Sequence, residues 1–598
     1  FAEIADRMPF ELDAFVRRGN QIRAVRKLTH HCGAEFGWFW LLESWIGLIQ
    51  TNKQLLEMAF HKPALLAELC LVVPRSVPEE EYTSVPLLVF CSIKGVFMNL
   101  VAISAATDDF FWSQIMIYGC LLAGVYFSLR MKFPQVRLIK DMVNQLFSGK
   151  SSASGVSSFQ GFAMALGGRV GTGNITGVAS AIFFGGPGAV FWMWAIAFLG
   201  AGSAYIESAL SQVWKEQVHG EYRGGPAYYM EKGLKSRPLG IAFAILTVFG
   251  CGLALPGIQS NAFGQAAAHS LDLDPWVSGF IYTVLIAYVV LGGGRRIAKT
   301  AEMIVPFMAI AYIILAFVIL FANAGKIVEI FQLIFSCAFN QNAAYGAVFG
   351  LAIQWGVKRG IFSNEAGQGT GAQASGAAEV SHPAKQGLVQ AFSVYVDTLF
   401  VCSATAVMIL ATNAFNVADP ANAGGFISQF LPGIEKSNFT QEAVNTVLPG
   451  FGGTFVAIAL FFFTFTTVLA YAFYTDSSIA YLFKKDASGP GYKYGIILTR
   501  VAVIAATFIG SVSSVDVVWN FGSAAVGAMA WFNIIVIVLL SKPGIATLKD
   551  YEAQKKLGLD PVFVPKRCGI EGAELWDSIA AKTYPQQLAA LKAAEKGK

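Results

Sequence analysis

The sequence predicts an all-α polytopic membrane protein: a 5+5 inverted repeat preceded by one extra N-terminal transmembrane helix, about eleven spans in all. Three observations predict it. Of 598 residues, 55% are hydrophobic and only 14% charged, against about 25% charged in a soluble globular protein. Apolar runs of roughly 20 residues recur, the length that crosses a hydrocarbon core. Two membrane-length segments are interrupted in the same way, at RVGTGNITG (Arg169 to Gly177) and at IFSNEAGQGTGAQASG (Ile361 to Gly376). Hydrocarbon offers no partner to free N–H and C=O groups, so such interruptions persist only where they line a cavity.

Residues 1–97 are mixed in charge, hold His30, His31 and His61, and lack sustained periodicity. They read as an N-terminal extension of unknown role. The run from Val85 to Ser104, interrupted by Lys94, reads as a helix or a signal-like segment, with Met98 a natural start. Residues 98–157 hold the extra span, near 112–130, and a cytoplasmic linker. The first repeat, 158–325, has spans near 158–184 (broken), 188–213, 238–268, 276–292 and 301–323. The second, 343–541, has spans near 343–376 (broken), 386–412, 450–482, 494–511 and 515–540. A polar connection from Asn413 to Pro449 divides its second span from its third, and residues 542–598 form a cytoplasmic tail.

Charge supports this count. Alternating spans put Arg130, Lys132, Arg137 and Lys140 inside, then Lys215, Arg223 and Lys232, then Arg295, Arg296 and Lys299. Lys385, Lys484, Lys485, Lys542 and Lys549 follow on the same side, while the outer loops hold mainly Lys326 and Lys436. That segregation obeys the positive-inside rule, and one odd span would spoil it. Five spans per half is an odd number, so the halves run in opposite directions. The net charge of +5 is therefore a topology signal and not a nucleic-acid footprint. Eight scattered cysteines with no CxxC pair indicate neither a disulfide framework nor a metal site.

Four strings occur in order: GGRVGTGNITGVASAIFFGGPGAVFWMW, GGPAYYMEKGL, GRRIAKTAEMIVPFMA and RGIFSNEAGQGTGAQASGAA. Together they resemble the alanine/glycine:cation symporter family, sodium-coupled amino-acid carriers with a LeuT-type core. The likeness covers about Asp108 to Lys542, and residues 1–97 have no counterpart in it. It implies a bacterial inner-membrane symporter for a small neutral amino acid, alanine or glycine. Sodium is the coupling ion, and no cofactor is implied.

The chemistry of such a solute fits the breaks. A carboxylate suits the free N–H groups that open a half-helix, where the dipole is positive. Here these belong to Thr172, Gly173 and Asn174. In the second break Phe362 is expected to close over the side chain, with Trp355 confining the pocket. Ser363 and Asn364 offer oxygens to an ammonium or a cation. Sodium needs hard oxygen ligands, and the carbonyls of Gly168, Val170 and Gly171 end the first half-helix, where the dipole is negative. The LeuT-type resemblance implies a hydroxyl pair on the third helix of the second half. FTFTTVLAY (Phe463 to Tyr471) supplies Thr466 and Thr467, with Thr464 next. Asn174 suits either solute or sodium. Charges inside spans are rare and usually functional or paired; the set is Arg169, Glu207, Lys358, Arg359, Glu365 and Asp397. Arg169 is expected to pair with Glu365 or Glu207 as a gate or brace.

Other readings remain open at this level. GTGN also suits a small-residue packing face, and a membrane threonine commonly bonds its own i−4 carbonyl. Proton coupling through Glu365 is the near variant. A channel is the more distant one, since Gly-rich loops also build filters. No HExxH, GxSxG or P-loop string is present, so enzyme chemistry is not expected. GGPAYYMEKGL reads as a short interfacial helix on the cytoplasmic side.

Overall fold

A computed structural model describes residues 101–149, 151–422, 424–486, 489–513 and 515–596. The expectations for residues 1–97 lie outside the described residues. Helix dominates. The extra span α1 (Val101–Arg130) is interrupted at Ser113 (ψ 159°) and regular from Gln114. The first broken helix begins with a capping box, in which Ser157 Oγ accepts from the Gln160 amide and Gln160 Oε1 accepts from the Ser157 amide, both at 3.0 Å. It runs as α2 (Ser158–Arg169), opens at Val170 (ψ 89°), passes through a π-helical stretch at Gly173–Gly177, and continues as α3 (Val178–Gly185). Then come α4 (Ala189–Val213), the short α5 (Pro226–Gly233), α6 (Arg237–Leu271), α7 (Pro275–Val290) and α8 (Gly294–Ala322).

The second half repeats the order. Its broken helix is α9 (Phe349–Asn364) followed by α10 (Thr370–Gly376). Next are α11 (Pro383–Ala411), the short α12 (Phe439–Asn445), α13 (Gly452–Leu482), α14 (Pro490–Val512) and α15 (Val515–Leu539). Among the described residues, eight helices are long and apolar enough to cross a membrane. The other expected spans are the two broken ones and the 16-residue α7.

Two short antiparallel hairpins depart from a purely helical reading: β1 (Glu216–Val218) with β2 (Glu221–Arg223), and β3 (Asn416–Ala418) with β4 (Phe426–Gln429). The first turns at His219 and Gly220, both with positive φ (52° and 78°), the backbone a two-residue hairpin loop demands. Each hairpin follows the second span of its half and leads to a short helix, α5 or α12. The same insertion at the same place in both halves supports a repeat. Helix α8 starts at Gly294, several residues before the expected boundary. Its first turn carries Arg295 and Arg296, which the apolar pattern excluded, and Arg296 lies 5.0 Å from the Tyr288 ring.

Helix α1 docks on the second half through directed bonds. Trp112 Nε1 donates to the Ser523 carbonyl at 2.9 Å and Trp531 Nε1 to the Phe111 carbonyl at 3.0 Å. Lys358 pairs with Asp108 at 2.5 Å, both largely buried.

The tail is ordered as α16 (Ser541–Lys556), α17 (Leu575–Lys582) and α18 (Pro585–Lys596). It covers the ends of α4 and α11. Trp576 Nε1 donates to the Gln212 carbonyl (2.9 Å), the Phe563 amide donates to the Ser381 carbonyl (2.9 Å), and Lys385 pairs with Asp560 (2.7 Å). His382 joins the two parts. Its Nδ1 accepts from the Ala384 amide at 3.1 Å and so caps α11, which leaves the proton on Nε2, 3.3 Å from Asp550 Oδ2. Burial holds the His382 pKa below its usual range, against the favourable Asp550 and with the unfavourable Lys385 and Arg567. A histidine depressed on folding costs nothing above the unfolded value of about 6.5 and destabilises as pH falls below it. Tail docking is therefore expected to loosen as pH falls below about 6.5. Faster proteolysis of the tail at pH 5.5 than at 7.5, flattened in H382Q, is the expected result. An equal slope in the variant would assign the effect elsewhere.

Candidate solute and ion site

The two breaks meet in the buried interior. A Cβ placed on Gly173 would lie 2.9 Å from the Cα of Ser363. One placed on Gly171 would lie 2.5 Å from Thr467 Oγ1 and 2.8 Å from Gln259 Oε1. At both positions the absence of a side chain is what permits the approach. Residues from α6, α9, α11 and α13 thereby reach the opened backbone of the first half-helix.

One cluster centres on Asp397, in a π-helical stretch of α11 at Tyr395–Cys402. Asn174 Nδ2 donates to Asp397 Oδ1 at 2.6 Å and also lies 3.2 Å from the Asp397 carbonyl. Ser363 Oγ lies 3.0 and 3.1 Å from the two carboxylate oxygens, and Thr398 Oγ1 donates to Oδ2 at 2.7 Å. Asn364 Nδ2 donates in turn to Thr398 Oγ1 at 3.2 Å. Every contact is neutral, so the fully buried carboxylate has no cationic partner among the described residues. Beside it the Gly171 amide donates to Asn174 Oδ1 (2.8 Å) and the Thr172 amide to Gln259 Oε1 (3.1 Å). Thr172 Oγ1 is buried with no partner among the described residues.

A second cluster centres on Thr467. Its hydroxyl oxygen lies 2.8 Å from the Gly167 carbonyl, 3.2 Å from that of Val170 and 2.9 Å from that of Phe463. A hydroxyl carries one proton and satisfies one acceptor at a time. Three carbonyls and a hydroxyl converging at the negative end of α2 form an oxygen set suited to a hard cation. The carbonyls that converge with Val170 are those of Gly167 and Phe463; Gly168 and Gly171 make no contact with Thr467 through their carbonyls. Thr466 Oγ1 bonds within its own helix, to the Phe462 (3.1 Å) and Phe463 (3.0 Å) carbonyls, and lies 3.6 Å from Met308 Sδ. Thr464 likewise bonds the Leu460 carbonyl at 2.8 Å.

The expected charge pair is not made. Arg169 Nη1 donates to the Gln390 carbonyl (3.3 Å), Gln390 Oε1 (3.1 Å) and Ser393 Oγ, and forms no ion pair among the described residues. Arg169 ends α2, and helical side chains lean toward the helix N-terminus. That direction leads to α11 and past Gly371 of α10, so Arg169 forms no ion pair with either glutamate although its charge acts on both. Glu365 and Glu207 instead hold the second break. Glu365 sits in the left-handed region (φ 53°), followed by Gly367 (85°) and Gly369 (89°), and its Oε2 accepts from Thr370 Oγ1 at 2.8 Å. Glu207 Oε2, from α4, accepts from the Gly369 amide (3.0 Å) and from Asn533 Nδ2 (2.9 Å), which also donates to the Gly367 carbonyl (2.9 Å). Tyr229 of α5 donates to Asn533 Oδ1. So α4, α5 and α15 brace the linker through one hydrogen-bonded chain. The string GGPAYYMEKGL is the helix that delivers Tyr229, and Tyr228 and Tyr229 are both buried.

Phe362 is buried next to Ser363 and stacks on Trp519 at 5.7 Å, while Trp355 stacks on Phe184 at 4.3 Å. Gln259, Gly167, Phe463, Thr398 and Asn533 were not singled out from the sequence, and Asp397 was noted as an intramembrane charge without a role. An acid in VYVDTLFVC was a signal in plain view. Gln259 gave a weaker one, as an amide within an apolar run just after Pro256.

A helical membrane bundle with two mutually contacting helix breaks, each lined by oxygen ligands, has the architecture of a secondary transporter. Residues 98–565 match the model of the sodium:alanine symporter family, and the chain belongs to that family. It is 52% identical over 474 residues to the putative sodium/proton-dependent alanine carrier protein YrbD of Bacillus subtilis, covering 79% of this chain and 97% of that protein. It is 43% identical to the sodium/proton-dependent alanine carrier protein of Bacillus sp. strain PS3, covering 73% and 97%. It is 37% identical to the sodium/alanine symporter AgcS of Methanococcus maripaludis, covering 77% and 99%.

Proposed function

We propose that this protein carries out sodium-coupled symport of a small neutral amino acid, alanine or glycine, by alternating access. The observation that carries the reading is the Thr467 hydroxyl against three converging carbonyls. Thr467 keeps its hydroxyl proton but rotates it away, so that sodium is held by an oxygen lone pair together with the carbonyls of Gly167, Val170 and Phe463. The solute's ammonium supplies the missing counter-charge for Asp397, with Ser363 and Asn174 alongside. Its carboxylate lies against the Gly173 amide and displaces Gln259 Oε1 from the Thr172 amide, and Phe362 covers the side chain. One sodium ion crossing 100 mV contributes about 2.3 kcal/mol to accumulation. The protein works as a carrier and not as an enzyme, in a bacterial inner membrane, with its tail in the cytoplasm. Its only partners in this reading are the solute, sodium and lipid.

A proton-coupled variant has one observation in its favour: Glu207 Oε1 and Glu365 Oε1 are buried without partners. Uptake of labelled alanine into proteoliposomes, with sodium replaced by choline at fixed pH, tests both. Uptake should vanish in choline, and unlabelled glycine should compete better than large amino acids. Undiminished uptake in choline, driven by a pH gradient, would overturn sodium coupling.

A further inference from the structure

Arg359 lies on α9 four residues before Ser363, one helical turn back from the site on the same face. It is 7% exposed. Its guanidinium carbon sits 5.0 Å from the Trp355 ring, 5.5 Å from Phe362 and 5.2 Å from Trp519. Nε and Nη1 are buried and have no hydrogen-bond partner, and Arg359 forms no ion pair among the described residues. The charge of Asp108 also acts on Arg359, but Asp108 pairs with the neighbouring Lys358 and forms no ion pair with Arg359.

Aromatic faces attract a guanidinium but do not neutralise it. They also cover its flat faces, while its N–H groups project from its edge. A buried cation with unused donors is costly and seldom kept without a role. Nη2 donates no hydrogen bond among the described residues either, and with Nε or with Nη1 it forms the two-donor edge that binds a carboxylate. We propose that Arg359 forms a carboxylate subsite on the approach to the central site, where it takes the incoming amino acid before the solute reaches Asp397. The inference rests on the symporter reading above. Phe362 belongs to both places: it is one wall of the Arg359 cage and, through its stack on Trp519, the cover beside Ser363. A carboxylate arriving at Arg359 disturbs that stack, so capture at the cage prepares the opening of the cover. Helix α9 enters from the side assigned as outer, so the subsite serves uptake and not efflux.

The test uses oriented proteoliposomes carrying wild-type protein, R359Q or R359K, with labelled alanine offered from each face. In R359Q the KM for uptake from the outer face should rise roughly tenfold, the loss expected for a charge-assisted hydrogen bond. The kcat, the sodium activation at saturating alanine and the KM for efflux should stay within about twofold, because the central site is untouched. R359K, which keeps the charge and loses the fork, should fall between. Propionate, a carboxylate without an ammonium, should compete with alanine at the outer face of the wild type and lose that effect in R359Q. Equal KM shifts at both faces would make Arg359 part of the central site, and an unchanged KM would make it a structural plug; either overturns the proposal. If R359Q does not fold, absence of propionate competition in the wild type overturns it alone. Loss of sodium-dependent alanine uptake in the wild type would instead strike the symporter reading itself.

Discussion

Replacing Thr467 with valine is expected to lower sodium-dependent uptake by roughly a hundredfold and to abolish its activation by sodium. A hundredfold loss corresponds to about 2.7 kcal/mol. Valine keeps the shape and removes the side-chain oxygen that faces all three carbonyls of Gly167, Val170 and Phe463. A methyl group in that place also takes the donor from one buried acceptor, at about 1–3 kcal/mol. Serine restores the oxygen and should restore most of the sodium response. The same change at Thr466 should be mild, because its hydroxyl is engaged with carbonyls of its own helix. Initial rates against sodium concentration at saturating alanine make the comparison. An unaltered sodium curve in T467V would remove Thr467 from the ion site.

Asp397→Asn is expected to weaken alanine binding by at least about two orders of magnitude, the scale of a buried charge pair losing one partner. Asparagine preserves volume and removes the charge that the ammonium answers. The protein should still fold. Ser363 and Thr398 hydroxyls can rotate from donating to accepting, so the amide finds partners where the carboxylate had them. Calorimetric titration with alanine in sodium, alongside a thermal melt, reads both effects. Wild-type affinity in D397N would show that the ammonium is held elsewhere. A collapsed melt would make Asp397 a structural anchor.

The breaks were legible in the sequence because glycine and polar residues inside apolar runs conflict with the bilayer, and few structures resolve that conflict. Thr467 was implied by the LeuT-type resemblance and Val170 by the carbonyls that end the first half-helix; the structure puts the two 3.2 Å apart. The finer geometry was not legible. Gly167, Gly168 and Gly171 are alike as letters, and which carbonyl turns toward α13 depends on the dihedral at Val170. Arg169 has two glutamates as plausible partners in sequence, yet its position at the end of α2 aims it at Gln390 and Ser393. Gln259 reaches the site only through the packing of α6 against the opened backbone, and no local pattern encodes that approach. The tail was assigned to one side of the membrane by charge alone. Its contacts depend on side chains such as Trp576, whose partner Gln212 is hundreds of residues distant.

Asn174 and Asp397, which bond each other, both lie in widened helical turns, Gly173–Gly177 and Tyr395–Cys402. A widened turn holds one surplus residue, so the stripes before and after it are out of phase by about 100°. A single rod can thus show grease to the lipid along its whole flank and still rotate its polar groups inward at mid-depth. In α11 this happens without the unwound segment that would leave amides bare.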